Sequence, residues 1–126
     1  MAASSVTLHE PVDKLQPDTP DIHRAIVSLM EELEAVDWYR QRADACSDEQ
    51  LRAILEHNMN EEIEHASMVL EWLRCRIPKI NEALKTYLFT SGDVTKLEEA
   101  VTEGETPAQK NVPRQSRITI GDLKGR

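Results

Sequence analysis

Two glutamates and a histidine interrupt apolar stripes at positions where they could bind a cation. Glu62 and His65 stand three residues apart in a segment with helical apolar spacing, so their side chains share one face on adjacent turns. Glu32 lies between Leu29 and Val36 at three and four residues, so it points inward with them. A carboxylate and an imidazole at this spacing can both reach one metal ion.

The segments that carry these residues are predicted to be two long helices. The first begins at Thr19, which can cap it, and runs to about Ala45 with no internal glycine. The pattern S-x-x-Q over residues 47–50 is a capping box, which predicts the start of a second helix. This helix ends near Arg76, before Pro78. The short break between them makes the two helices antiparallel neighbours.

The centre of the turn decides which residues of the two helices face each other. With the turn centred near residues 46–47, facing residues have numbers that sum to about 93–94, and Glu32 and Glu62 meet this condition. Two like charges held level inside an apolar core are unfavourable unless a cation lies between them. A divalent metal ion is the simplest such cation.

The rest of the chain divides into an arm, a helical domain and a tail. Residues 1–18 are polar and contain prolines, which favours a flexible arm, and residues 19–103 form the helical domain. Short helices are predicted at Ile80–Leu88 and Asp93–Val101. Residues 104–126 are polar and suit a flexible tail. The tail has five basic and two acidic residues, so its net charge is +3. Since the whole chain has a net charge of −8, the rest of the chain carries −11.

Composition favours an all-α class. Aromatic residues make up 4% of the chain and there are four glycines, which argues against a β-sandwich or barrel. No apolar segment approaches the roughly 18 residues of a membrane span, and no signal peptide is visible. The acidic body disfavours nucleic acid as a partner. Two isolated cysteines suggest neither a disulfide framework nor a zinc site.

One hairpin provides only half of a familiar metal centre. Ferritin-like di-iron proteins take a glutamate from each of two helices and a Glu-x-x-His pair from each of two others, within a four-helix bundle. Dimerisation about a two-fold axis would complete both the bundle and the site. Carboxylate and imidazole ligands favour iron or manganese, and zinc or other divalent ions are possible substitutes. The third helix could instead cover part of the open apolar face.

A single Glu-x-x-His in an acidic helix is a weak signal, so other interpretations remain open. The chain could sequester or deliver metal without turnover, or be a structural helical adaptor with a solvated acidic face. Trp38 and Tyr39 suit ordinary packing, although Tyr39 could also hydrogen-bond a ligand or assist electron transfer. Glu31 and Glu34 are either solvated or a cation access site. One helical flank is either solvated or a weak metal site: His57, Glu61 and Glu64.

Several segments together resemble the encapsulated ferritin-like proteins. They are IVSLMEELEAVDWY at residues 26–39, HN at 57–58, EEIEHA at 61–66 and TYLFT at 86–90. The resemblance covers roughly residues 20–92. It implies a ferroxidase that oxidises Fe(II) to Fe(III) at a di-iron centre between two subunits. It also implies a decameric ring of dimers, without a storage cavity of its own, that works inside an encapsulin shell where the iron mineral is stored.

The resemblance also implies roles for individual residues. By matching position, Glu32, Glu62 and His65 would be the iron ligands. Trp38 and Tyr39 would lie near the centre, with Tyr39 as a further catalytic residue. Glu31 and Glu34 would form the site where metal enters. The tail segment SRITIGDLK, about residues 116–124, is similar to the C-terminal peptides that target cargo to encapsulin shells. Asp122 departs from the small residue expected there. A cytoplasmic location inside the shell follows from the same resemblance.

Overall fold

The regular structure of the chain is helical. The computed structural model describes residues 4–102, and every regular element within them is a helix. A 3-10 helix at Val12–Lys14 precedes four α-helices: α1 Thr19–Ala45, α2 Glu49–Arg76, α3 Pro78–Tyr87 and α4 Val94–Thr102. The chain divides into two compact units, one ending at Pro78 and the other beginning at Lys79. The predicted all-α class and the two-helix hairpin are confirmed.

The first unit is dominated by the hairpin. With 27 and 28 residues, α1 and α2 are each about 40 Å long at the helical rise, and they pack against each other. Three residues, 46–48, join them. The Arg52 guanidinium donates hydrogen bonds of 3.2 Å and 2.5 Å to the Cys46 carbonyl, which holds the turn against the first turn of α2.

In both long helices, the observed N-terminal cap lies one residue away from the predicted cap. The cap of α2 is Asp48, whose carboxylate accepts a hydrogen bond of 2.7 Å from the Leu51 amide, and Ser47 lies outside. A carboxylate at this position also favours the positive end of the helix dipole, which explains why aspartate takes the role from serine. The cap of α1 is Asp18 in place of Thr19, without a side-chain capping bond.

The cap assignment predicts different effects for two neighbouring substitutions. Asp48→Ala should lower the free energy of unfolding by about 1 kcal/mol, because one amide at the start of α2 loses its acceptor. Ser47→Ala should change it by less than about 0.5 kcal/mol. Urea unfolding followed by circular dichroism would measure both. A larger effect at Ser47 than at Asp48 would restore the capping box predicted from the sequence.

The hairpin buries very little of its apolar surface. Within the part of the chain that the structure describes, only Ala43, Ala66 and Leu73 are buried. Large exposed hydrophobic side chains are spread along both helices: Ile26, Met30, Leu33, Trp38, Leu51, Ile54, Ile63 and Met68. Exposed apolar side chains in this number favour an interaction site. In the single chain, much of the apolar surface of the hairpin is therefore uncovered.

The two short helices differ slightly from prediction. Proline is well suited to the first helical position, and α3 accordingly begins at Pro78 and not at Ile80. It ends at Tyr87, and Phe89 then adopts a positive φ of 57° that is uncommon for a bulky residue. The start of α4 follows Asp93, whose carboxylate accepts bonds of 2.9 Å and 2.6 Å from the Thr95 amide and hydroxyl. These bonds lower the pKa of Asp93.

The segments outside the helices carry two further observations. The imidazole of His23 lies 2.9 Å from the Val6 carbonyl oxygen through its Nε2 atom, which ties the N-terminal arm to α1. None of the described helices is long and apolar enough to cross a membrane. The predicted tail at residues 104–126, with its proposed targeting peptide, lies outside the described residues.

Candidate metal centre

The turn sets the two glutamates level across the hairpin. It is centred on Ser47, and Glu32 precedes this residue by 15 positions while Glu62 follows it by 15. Both helices are regular over these stretches, so equal separations place the two residues at equal heights. One turn further along α2, His65 projects from the same side as Glu62.

Three side chains converge at this level. One ligand atom from each of Glu32, Glu62 and His65 can be chosen so that all three lie within 4.8 Å of one another. The Nδ1 atom of His65 lies 3.2 Å from Oε2 of Glu62 and 3.6 Å from Oε2 of Glu32. No other group of three or more metal-ligating residues of this kind occurs in residues 4–102.

The cluster is more exposed than the sequence suggested. Relative exposures are 26% for the Glu32 side chain, 24% for Glu62 and 45% for His65, so neither carboxylate is buried in an apolar core. The physical reason is that two helices form a single layer, which covers one side of the cluster and leaves the other open. An ion or a further protein surface can reach the open side directly.

The pKa values of the two carboxyl groups shift in opposite directions. A hydrogen bond with Glu62 raises the pKa of Glu32, and the same bond lowers the pKa of Glu62. Opposite shifts are expected when one carboxyl keeps a proton that the other accepts, since this relieves the repulsion of two like charges. The hydrogen bond to Glu62 also raises the pKa of His65. The three side chains therefore influence one another's charge.

The donor set fits a divalent cation. Carboxylate oxygens and imidazole nitrogens bind such ions at about 2.0–2.2 Å, so two donors on one ion lie at most about 4.4 Å apart. The two distances from His65 fall inside this limit. The 4.8 Å span of the whole group exceeds it slightly, and side-chain rotation can close the difference. Three donors leave the coordination sphere of iron incomplete, so further ligands must come from water or another chain.

The remaining predicted residues lie outside this cluster. Glu31 and Glu34 are exposed, and the group of three does not include them. Tyr39 is half-buried, and within residues 4–102 no hydrogen bond joins its hydroxyl to a residue of the cluster. Trp38 is exposed.

The flank of α2 that was considered either a solvated face or a weak metal site is largely exposed. His57 Nε2 lies 3.7 Å from Glu61 Oε1. Glu64 is exposed and forms no group with them among the described residues.

One contact of the predicted aromatic residues was not predicted. The guanidinium of Arg42 lies over the rings of both Trp38 and Tyr39, with Cζ 5.8 Å and 5.5 Å from the ring centroids. The spacing of three and four residues could have indicated this contact, because such residues are neighbours on a helix surface. The same spacing places Arg76 over Trp72 at 4.7 Å.

Comparison with known proteins places these features in a family. A family model described as EncFtn-like matches residues 7–91. An encapsulated ferritin-like protein of Rhodospirillum rubrum is 54% identical over an alignment that covers 99% of this chain and 93% of that protein. A ferritin-like protein of Thermotoga maritima is 53% identical over 76% of this chain and 84% of its own length.

Two further comparisons agree with these matches. The encapsulin nanocompartment cargo protein EncC of Myxococcus xanthus is 34% identical over 92% of this chain and 94% of that protein. The crystal structure of protein ne0167 from Nitrosomonas europaea matches with a TM-score of 0.66 and 55% identity, over 68% of this chain and 94% of that one. The chain therefore belongs to the EncFtn-like family of ferritin-like proteins.

Proposed function

We propose that the protein is a ferroxidase, which oxidises Fe(II) to Fe(III) at a di-iron centre formed by two copies of the hairpin. The observation that carries the proposal is the convergence of Glu32, Glu62 and His65 on one level of the hairpin. Two carboxylates and one imidazole form a hard donor set that suits iron. Family membership supports the same assignment, because the relatives are named as ferritin-like proteins.

The residues would act on Fe(II) as substrate in a simple sequence. Glu62 and His65 bind one ion from adjacent turns of α2, and Glu32 reaches it from α1. Binding would release any proton that the three side chains hold, because each ligand must be deprotonated. Negative carboxylates then stabilise the higher charge of Fe(III) more than that of Fe(II), which favours loss of an electron. Dioxygen is the proposed acceptor.

Dimerisation would complete the centre. Three donors from one chain leave coordination positions open, and a two-fold axis beside the cluster would add the same three from a second chain. The exposed apolar side chains of the hairpin support association, since a second hairpin would cover them in a four-helix bundle. A ring of such dimers, with ten chains, is the assembly we propose.

We further propose that the protein works inside an encapsulin shell, with iron mineral stored by the shell around it. The R. rubrum relative is named as encapsulated and EncC as an encapsulin cargo protein. Residues 116–124 would be the segment that docks on the shell interior. Many tethered copies would bind with an avidity that one short peptide lacks.

A second candidate function is metal sequestration or delivery without turnover. The exposure of the cluster favours it, because an ion can reach the three donors of a single chain directly. This alternative predicts tight Fe(II) binding without faster oxidation.

The two functions differ in one measurement. Fe(II) added anaerobically to the purified full chain and then exposed to air should give Fe(III) absorbance faster than a protein-free control. An equal rate with bound iron would support sequestration and exclude the ferroxidase. Apoprotein reconstituted with Zn(II) before the addition of iron should oxidise it slowly, since zinc would occupy the same ligands.

Metal is also expected to strengthen association of the chains. If the site lies between two copies, Fe(II) at about 100 times its dissociation constant stabilises the dimer by about 2.7 kcal/mol, which is about a 100-fold tighter association. Native mass spectrometry under anaerobic conditions, with and without Fe(II), would measure the shift. A structural adaptor would show no dependence on metal. The control is Glu62→Ala, which should associate equally with and without Fe(II).

A further inference from the structure

The guanidinium of Arg42 contacts two aromatic rings at once. Trp38 and Tyr39 are adjacent on α1, and Arg42 follows them by four and three residues, so it projects between them one turn away. Its Cζ atom lies 5.8 Å from the Trp38 centroid and 5.5 Å from the Tyr39 centroid. Both distances are within the ~6 Å range of a cation–π contact.

The charge of Arg42 is directed at the rings and not at a carboxylate. Other arginines of the hairpin pair with acidic neighbours on their own helix: Arg24 with Asp21 at 2.6 Å, Arg40 with Asp44 at 3.6 Å and Arg74 with Glu71 at 2.5 Å. Within residues 4–102, no acidic side chain forms an ion pair of this kind with Arg42. No neighbouring carboxylate therefore offsets the effect of the cation on the two rings.

The aromatic pair lies close to the candidate metal centre. Trp38 and Tyr39 follow Glu32 by six and seven residues on the same helix, a rise of about 9–11 Å. Tryptophan and tyrosine are among the side chains that most readily lose one electron. A one-electron oxidant of the reduced-oxygen class, formed where Fe(II) meets dioxygen, would have this separation to cross.

We propose that Arg42 is a positioning residue that protects Trp38 and Tyr39 from one-electron oxidation. Oxidation transfers one electron from a ring to the oxidant. Tryptophan is left as a radical cation, and tyrosine also gives its hydroxyl proton to water. The guanidinium attracts the electron-rich face of each intact ring and repels the positive charge that the Trp38 ring gains, so it makes loss of the electron harder. The neutral tyrosine radical is not repelled, and at Tyr39 only the attraction to the intact ring opposes oxidation. The biological source of the oxidant rests on the proposed ferroxidase function, whereas the electrostatic effect does not.

The test uses an oxidant that is independent of iron. Azide radicals, generated by a radiolytic pulse, would be applied to the metal-free full chain as wild type, Arg42→Gln and Arg42→Lys. Peptide mass spectrometry would measure oxidation at residues 38 and 39 relative to Trp72, which lies under Arg76 and is unaffected by the change. Arg42→Gln should raise this ratio about two- to fivefold, the factor that corresponds to an exposed cation–π contact. Arg42→Lys should remain near the wild type.

Two results would overturn the proposal. One is an unchanged ratio in Arg42→Gln. The other is a rise in acrylamide quenching of Trp38 fluorescence in Arg42→Gln that is as large as the rise in oxidation. The quenching is measured in a Trp72→Phe background. Such a result would mean that the substitution exposes the ring, and that exposure and not charge controls its oxidation. As a reciprocal control, Arg76→Gln should raise oxidation of Trp72 alone. Since no iron is present, failure here leaves the ferroxidase proposal intact, and failure of the Fe(II) assay leaves this one intact.

Discussion

Replacement of Glu32 by alanine is expected to lower the rate of Fe(II) oxidation by at least about tenfold. Loss of groups that merely support a metal ligand typically lowers metal affinity or activity by 10–100-fold, and Glu32 is proposed as a ligand itself. In a symmetric dimer one substitution removes two carboxylates from the same centre. It also leaves Glu62 and His65 without the third donor of the cluster.

The assay is the aerobic oxidation of Fe(II) followed by Fe(III) absorbance, at equal protein concentration. The matched control is Glu56→Ala, which removes an exposed carboxylate from α2 outside the cluster. This variant should oxidise iron at the wild-type rate. If loss of any surface carboxylate slowed oxidation, Glu56→Ala would be slow as well. Circular dichroism should show that both variants keep their helices. Wild-type activity in Glu32→Ala would contradict the assigned centre.

Replacement of Leu73 by alanine is expected to lower the free energy of unfolding by about 2–5 kcal/mol. Leu73 is 2% exposed and is the most buried side chain among residues 4–102. Removal of a buried leucine side chain loses transfer free energy and leaves a cavity. The other two buried residues of the hairpin, Ala43 and Ala66, are small, so Leu73 is its largest buried side chain.

The measurement is urea unfolding of the metal-free protein, at low concentration, monitored by circular dichroism. Met68→Ala is the control, because Met68 lies on the same helix but is exposed. Its effect should be within about 0.5 kcal/mol, as for most surface positions. Equal effects at the two positions would mean that association, and not the hairpin interior, determines the stability.

The fold could be predicted because the helices have clear local signals. Apolar residues at helical spacing and the absence of internal glycine define α1 and α2, and Pro78 separates α2 from α3. The level position of Glu32 and Glu62 followed from the turn alone, because the two helices are regular and nearly equal in length. Ends of helices were less certain, since Ser47 and Asp48 are both good caps and only the backbone geometry decides between them.

Two features of the site could not be predicted in the same way. Burial of the ligands was overestimated, because an inward-facing position in a sequence pattern is buried only if a second layer covers it. The contact of Arg42 with Trp38 and Tyr39 depends on the side-chain rotamers, and an arginine at this spacing can equally pair with a carboxylate, as Arg40 does with Asp44.

The symmetric distance of Glu32 and Glu62 from Ser47 restricts how the chain can change in length. One residue inserted in α1 after Glu32 would rotate this side chain by about 100° and raise it by about 1.5 Å, away from Glu62. Seven residues would restore its face but leave it about 10 Å too high. Only insertions of equal length in both helices that complete nearly whole turns, such as seven or eleven residues, keep the cluster intact. Homologous hairpins with the same ligands should therefore differ in arm and tail length far more than between residues 32 and 62.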